Sequence, residues 1–140
     1  MATLGNITFY AENPRALSHF WAGVFGYPAA EWEDPLRQQL LDSGLTSDDL
    51  DKRGLAEDPE GVGPRLFFHH AAGPKEGRNR LHIDVNVTRD PGDEAALDAE
   101  KDRVVALGAR VVRLVEQQWG PWPERYYQMQ DPEGNEFCLQ

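Results

Sequence analysis

The sequence is poor in several features that mark particular classes of protein. Its single cysteine, Cys138, excludes an internal disulfide, and the first residues lack the basic and apolar regions of a signal peptide, so we expect a reducing, cytoplasmic setting. No apolar run approaches the roughly 18 residues that a membrane-spanning helix needs. Basic residues are scarce, since 14 Lys and Arg stand against 24 Asp and Glu, and the net charge of −10 argues against nucleic-acid binding. The length of 140 residues predicts one domain with a core of its own.

The first half opens with the pattern of a strand followed by a helix. Residues Asn6 to Tyr10 are β-branched and aromatic, and Asn13 with Pro14 supplies a helix cap and a first helical position. Up to Gly26, a typical helix end, apolar residues recur every three or four positions, which predicts an amphipathic helix. These apolar residues are Leu17, Phe20, Trp21, Val24 and Phe25.

An acidic stretch, residues 31–63, separates this helix from the next predicted strand. Leucines at 36–41 give it a helical pattern, and Ser47 is placed to cap a short second helix. Pro and Gly at its end mark a turn before a strand at Arg65 to His70. We therefore predict a helical insertion in the first half of the chain.

Strict alternation in the second half indicates which side chains share a sheet face. Residues 80–88 alternate between apolar and polar, so His82 and Asp84 lie together opposite the apolar face. The closing strand alternates as well, which places Glu136 and Cys138 opposite its core face. Cys138 is expected to be a small buried residue rather than a nucleophile.

Between these two strands the pattern predicts one helix and two more strands. A helix is expected at about 93–107, stopped by Gly108, and DPEGN at 131–135 is typical of a hairpin turn. These two strands are predicted at 110–115 and 125–130, and the closing strand at 136–140.

The order of strand, capped helix and further strands occurs twice, and two such units could bury helices outside curved sheets and leave a concave face free. The chain resembles the vicinal oxygen chelate superfamily, in its glyoxalase, bleomycin-resistance and dioxygenase branch, through AENPRALSHFWAGVFGY, GPRLFFHHAAGPKEGRNRLHIDV, ALGAR and QDPEGNEFCL. The resemblance implies a single α+β domain of two βαβββ modules, with curved mixed sheets around a concave cleft and helices outside. Module one would span about 1–70 and module two about 78–140. A homodimer and a cleft for a divalent metal are also implied.

The resemblance further implies a metal site. In metal-dependent members the ligands lie at inward positions on the first and last strands of each module, which here correspond to His82 and Glu136. Only one of His69 and His70 can face the cleft, because neighbouring strand residues point to opposite sides, and we favour His69. A set of His69, His82 and Glu136 suits one divalent ion such as Zn, Ni, Fe or Mn, with Glu136 or Asp84 as the catalytic proton carrier.

Other interpretations of these residues stay open. His82 could bond to a neighbouring strand or to Glu136, and Glu136 could pair with Arg78 or Arg80. The opening strand offers Asn6 or Thr8 where metal-dependent members place His or Gln, so one ligand is missing and the protein could be metal-free.

The run WGPWPERYY at 119–127 places aromatic residues on a loop, marked by Pro and Gly, that leads into the strand at 125–130 and could cover an apolar ligand as a lid. Either Tyr126 or Tyr127 faces inward, depending on the register. Arg125 could bind an anionic group, with a rim salt bridge as the alternative. The candidate substrate-binding residues are Trp119, Trp122, Tyr126, Arg125 and Thr8.

Three candidate functions follow from these residues and from the resemblance. The first is a glyoxalase-like protein that binds a small oxygen-bearing metabolite and acts as a metal-dependent lyase or isomerase. The second is a non-catalytic protein of the bleomycin-resistance type, whose acidic, aromatic cleft would sequester a cationic drug; the missing first-strand ligand favours it. The third, a ring-cleaving dioxygenase, needs a complete iron triad and a longer chain.

Overall fold

The described residues of the computed structural model, 1–88, 90 and 92–140, divide into unit 1, Met1–Pro74, and unit 2, Lys75–Gln140. Unit 1 contains β1 (Asn6–Ala11), α1 (Pro14–Phe25), α2 (Leu36–Asp42), α3 (Ser47–Asp51), β2 (Arg53–Ala56) and β3 (Arg65–His70). Unit 2 contains β4 (Ile83–Val85), α4 (Glu94–Ala106), β5 (Arg110–Trp119), β6 (Trp122–Gln130) and β7 (Glu136–Leu139). The predicted α+β class is confirmed, because unit 1 combines three helices and unit 2 one helix with a mixed sheet. No helix among the described residues is long and apolar enough to cross a membrane.

The sheet of unit 1 has the order β1-β3-β2, with β1 parallel and β2 antiparallel to β3. Helix α1 covers one side of it. The helix begins where Asn13 caps the first turn and ends at Gly26, whose φ of 71° suits glycine. Its buried Trp21 lies 5.6 Å, between ring centroids, from Phe9, and Phe9 stacks on Phe68 of β3. The amphipathic pattern of α1 is thereby explained.

Strand β2 was not predicted from the sequence. It lies within the segment that was predicted to be a helical insertion. Its four residues, RGLA, have low strand propensity, and the strand forms because β3 pairs with it and α1 crosses close above Gly54. The cap of α3 is Thr46 rather than Ser47, and Thr46 forms a capping box with Asp49. Unit 1 therefore builds its module from three strands, with α2 and α3 inserted.

Unit 2 is a complete βαβββ module. Its sheet has the order β4-β7-β6-β5, in which β4 is parallel to β7 and the other pairs are antiparallel. The side that carries α4 holds the core, where Val104 of the helix and Met129, Phe137 and Leu139 of the sheet are at most 1% exposed. Strand β4 is shorter than the predicted 80–88.

The turn between β6 and β7 follows the prediction from DPEGN. The buried Asp131 carboxylate accepts hydrogen bonds from the backbone N–H groups of Glu133 and Asn135, each at 2.9 Å, and from the Asn135 side chain at 2.8 Å. Gly134 takes a φ of 87°, which few other residues adopt without strain. This network fixes where β7 starts.

The predicted aromatic lid is instead the tip of a β-hairpin. Strands β5 and β6 continue to the pair Trp119 and Trp122, and Gly120 with a φ of 57° closes the turn. Two indole rings at paired positions favour the hairpin over a loop, since cross-strand aromatic pairs stabilise antiparallel strands. The prediction of a loop before residue 125 was therefore wrong, because β6 already begins at Trp122.

Candidate functional site

One sheet face of unit 2 collects most of the residues that the sequence singled out there. The register pairs Asp84 of β4 with Cys138 of β7, pairs Cys138 with Gln128 of β6, and pairs Glu136 with Gln130. Alternation places all of these opposite the core face. We call this side, defined by Asp84, Gln128, Glu136 and Cys138, the polar face.

Three potential metal donors meet on the polar face. His82 Nε2 lies 3.2 Å from Asp84 Oδ1. Together with Cys138 Sγ these atoms all lie within 4.8 Å of one another. The side chains of His82 and Asp84 are 43% and 55% exposed, whereas Cys138 is 6% exposed. Burial raises the pKa of the Cys138 thiol to about 11, and the charge of Asp84 adds to the rise.

Glu136, predicted as a ligand and a catalytic group, has other partners. Lys75 Nζ lies 3.2 Å from its Oε1, and the backbone N–H of Asn79 donates to its Oε2 at 3.0 Å. Burial raises the pKa of this carboxyl, but the hydrogen bond from Asn79 and the charge of Lys75 outweigh that effect, so the pKa is lowered overall. Neither Arg78 nor Arg80, the partners considered in the sequence, takes this place, and the partner of His82 is Asp84 rather than Glu136.

The opposite side of the sheet, beneath α4, holds Arg125 and Tyr127. Arg125 Nη2 and the Tyr127 hydroxyl both donate to Asp98 Oδ1, at 3.0 and 2.6 Å. These two hydrogen bonds, with that from Tyr127 the larger cause, lower the pKa of the Asp98 carboxyl, and the same bond raises the pKa of Tyr127. Arg125 therefore forms a salt bridge, which was the alternative to binding an anionic group. Alternation along β6 places Tyr126, and not Tyr127, on the polar face.

The predicted substrate contacts Trp119 and Trp122 stack on each other at the hairpin tip. Their ring centroids are 5.3 Å apart with an interplanar angle of 17°, and they are 63% and 59% exposed. By alternation along β6, Trp122 shares the polar face with Tyr126 and Gln128. The pair forms an exposed aromatic surface beyond the core of unit 2.

A cavity of about 380 Å³ lies beside the first turn of α4 and the start of β6. Two predicted substrate contacts, Arg125 and Tyr126, line it. Four carboxylates also line it, those of Asp90, Asp93, Glu94 and Glu124. Acidic side chains in its lining thus outnumber the single basic one, Arg125.

The candidates of unit 1 are described within that unit alone. His69 lies on the sheet face opposite α1, across from Tyr10 and beside Phe67, with ring centroids 6.0 and 5.0 Å away. Thr8 occupies the same face, paired with Phe67. His70 points the other way, and its Nδ1 lies 3.2 Å from the Glu12 carbonyl oxygen.

Cys138 is the member of the cluster that the sequence interpretation undervalued. The alternation of β7 placed it on the same face as Glu136, so the signal was present. Whether Glu136 or Cys138 joins the cluster is determined by the register of the parallel strands β4 and β7, in which Asp84 lies opposite Cys138. That register depends on the tertiary fold.

The sequence model of the Glyoxalase-like domain family matches residues 6–140. The chain belongs to this family. This family model confirms the glyoxalase-like resemblance of the sequence, and solved structures of low sequence identity share the fold. A search of curated protein sequences found no match.

Three solved structures illustrate the shared fold. A glyoxalase/bleomycin resistance/dioxygenase family enzyme from Burkholderia phytofirmans is 16% identical, with a TM-score of 0.57 over 99% of this chain and 97% of that one. A mutant of the fosfomycin resistance protein FosX from Listeria monocytogenes, complexed with Mn(II) and a dihydroxypropylphosphonic acid, is 15% identical, with a TM-score of 0.64 over 100% and 90%. A glyoxalase-related enzyme from Fulvimarina pelagi is 14% identical, with a TM-score of 0.63 over 99% and 87%.

Proposed function

We propose that this glyoxalase-like protein binds one divalent metal ion through His82, Asp84 and Cys138 and uses it in lyase or isomerase chemistry on a small oxygen-bearing metabolite. The observation that carries the proposal is the set of one nitrogen, one oxygen and one sulfur donor within 4.8 Å of one another. The Mn(II) complex of FosX, which has the same fold, supports the presence of a metal.

The donor set fits a zinc-like ion. Ligands at about 2.0 to 2.3 Å from a tetrahedral ion lie roughly 3.5 Å apart, a spacing that small side-chain rotations would give here. Three protein ligands leave one position open for a substrate oxygen, as catalytic zinc sites do. Metal binding would displace the thiol proton of Cys138, because the thiolate is the ligand.

The bound metal would act as a Lewis acid on a carbonyl or hydroxyl oxygen. Glu136 lies two residues from Cys138 on the same face, and its lowered pKa keeps it ionised at neutral pH, so we assign it the proton-accepting role. Lys75 and Asn79 would hold that carboxylate in place. Asp84 becomes a ligand in this proposal, and His69 stays the prediction for a further ligand from unit 1.

Metal analysis tests the proposal. Untagged protein loaded with Zn²⁺ and desalted should retain about one ion per chain. His82→Ala and Cys138→Ser should lose it, whereas Glu136→Gln, as the matched control, should keep it. Retention of Zn²⁺ by all variants, or its loss only in Glu136→Gln, would contradict the assignment of the ligands.

A second function, sequestration of a cationic molecule, is favoured by the cavity that four carboxylates line. An acidic wall raises the local concentration of cations. Calorimetry with a bleomycin-type cationic drug should then detect binding that weakens with salt and in a Glu94→Gln, Glu124→Gln double variant. Binding with neither dependence would contradict it.

The single domain, the homodimer and the cytoplasmic setting remain predictions from the sequence and the superfamily. Light scattering on the purified protein would determine the number of chains.

A further inference from the structure

Unit 1 contains a second pocket, which lies at the β2 edge of its sheet. Its volume is about 160 Å³. Leu55 and Phe67, cross-strand neighbours on β2 and β3, form one part of its wall, and Trp32 and Leu36 from the acidic insertion form another. The insertion, which had no assigned role, therefore builds a largely apolar recess.

The indole of Trp32 is fixed in this wall. Its Nε1–H donates to the carbonyl oxygen of Leu50 at 3.0 Å, and Leu50 is 4% exposed. Because the only polar group of the indole is already satisfied, the ring offers the pocket an apolar surface. Leu55 and Phe67 are held by their strands, so the recess is largely preformed.

The charges at this pocket are unequal. Arg15 forms ion pairs with Glu31 and with Asp51, and Glu31 also lies 3.1 Å from His19 Nε2. Arg53, in contrast, has no ion pair or hydrogen bond with a side chain among the described residues, yet it lines the pocket. An uncompensated guanidinium thus lies beside an apolar recess, in a chain whose net charge is −10.

We propose that this pocket binds a small aromatic carboxylate, with its ring in the recess and its carboxylate on Arg53. A dry cavity of about 150 Å³ can hold a benzene ring, which matches the size found here. The planar guanidinium suits a carboxylate, because it can donate two parallel hydrogen bonds. The inference goes beyond the proposed metal chemistry and involves residues of unit 1 only.

The test compares three ligands of the same shape and different charge: benzoate, benzamide and benzamidine. Binding is followed by NMR through the indole N–H resonance of Trp32, assigned with Trp32→Phe. Benzoate should shift this resonance saturably and bind about fivefold or more tightly than benzamide, with benzamidine weakest. This comparison uses the unaltered protein and needs no folding control.

Two variants then test the role of Arg53. Arg53→Gln should abolish the preference for benzoate over benzamide, whereas Lys52→Gln, which removes the neighbouring positive charge outside the pocket, should retain it. The proposal is overturned if benzoate leaves the Trp32 resonance unshifted, if benzamidine binds best, or if Arg53→Gln keeps the preference. Loss of metal binding in unit 2 variants would not change any of these outcomes.

Discussion

Gly54 is the position where a single methyl group should be most disruptive. A Cβ atom there would overlap the carbonyl oxygen of Pro14 and lie 2.8 Å from both Cβ and Oγ of Ser18. Two of the three obstacles are atoms of the α1 backbone or fixed to it, so the helix itself must move away from β2. Helix α1 carries the buried Trp21, and its displacement would loosen the core of unit 1.

Overpacking of this kind costs about 3 kcal/mol, at the upper end of the usual range, because backbone rather than a flexible side chain must yield. With an unfolding entropy of about 2.1 cal/mol/K per residue, this corresponds to a loss of roughly 10 °C in Tm for Gly54→Ala. Scanning calorimetry and urea unfolding measure it.

Gly73 provides the matched control. A Cβ there would meet nothing within 4 Å and its φ is not positive, so Gly73→Ala should leave Tm unchanged or raise it slightly. Adding Ser18→Ala to Gly54→Ala should not restore stability, because Ser18 Cβ and the Pro14 carbonyl oxygen remain. Equal Tm values for the two glycine variants would refute the close approach of α1 to β2.

Two further predictions concern unit 2. Trp122→Ala should remove the exciton-coupled circular dichroism of its stack with Trp119 and cost roughly 0.5 to 1 kcal/mol in urea unfolding, as cross-strand aromatic pairs do; an unchanged spectrum would contradict the hairpin. The pKa of Asp98 is lowered by Tyr127 and Arg125, so its stabilising effect is complete above the unfolded-state value near 4 and is lost as pH falls through the folded-state value. The stability gap between the wild type and Asp98→Asn should therefore close in acid, and a gap independent of pH would count against the network.

Local patterns sufficed for much of the fold. The spacing of Leu17, Trp21 and their neighbours identified α1, and DPEGN identified the turn before β7 because Asp131 and Gly134 act within five residues. Strand β2 could not be predicted, since Gly54 and its neighbours acquire their conformation from β3 and α1. The conformation of β2 is therefore determined by its tertiary environment rather than by local propensity.

The site was predictable to the level of a sheet face. Alternation placed His82 with Asp84, and Glu136 with Cys138, on polar sides of their strands. Which of the latter two meets His82 depends on a parallel register that no local pattern encodes. Likewise, the sequence does not show that Arg53 lacks an ion pair with the described residues at its pocket. In the folded chain Glu31, which also lines the pocket, pairs with Arg15 instead.

The direct test of the metal centre is titration of the protein with Co²⁺, whose bond to a thiolate gives an ultraviolet charge-transfer band. We predict a band that saturates at about one Co²⁺ per chain. It should be absent in Cys138→Ser and in His82→Ala and retained in Glu136→Gln. A protein that binds no Co²⁺, or one whose band survives Cys138→Ser, would contradict the account.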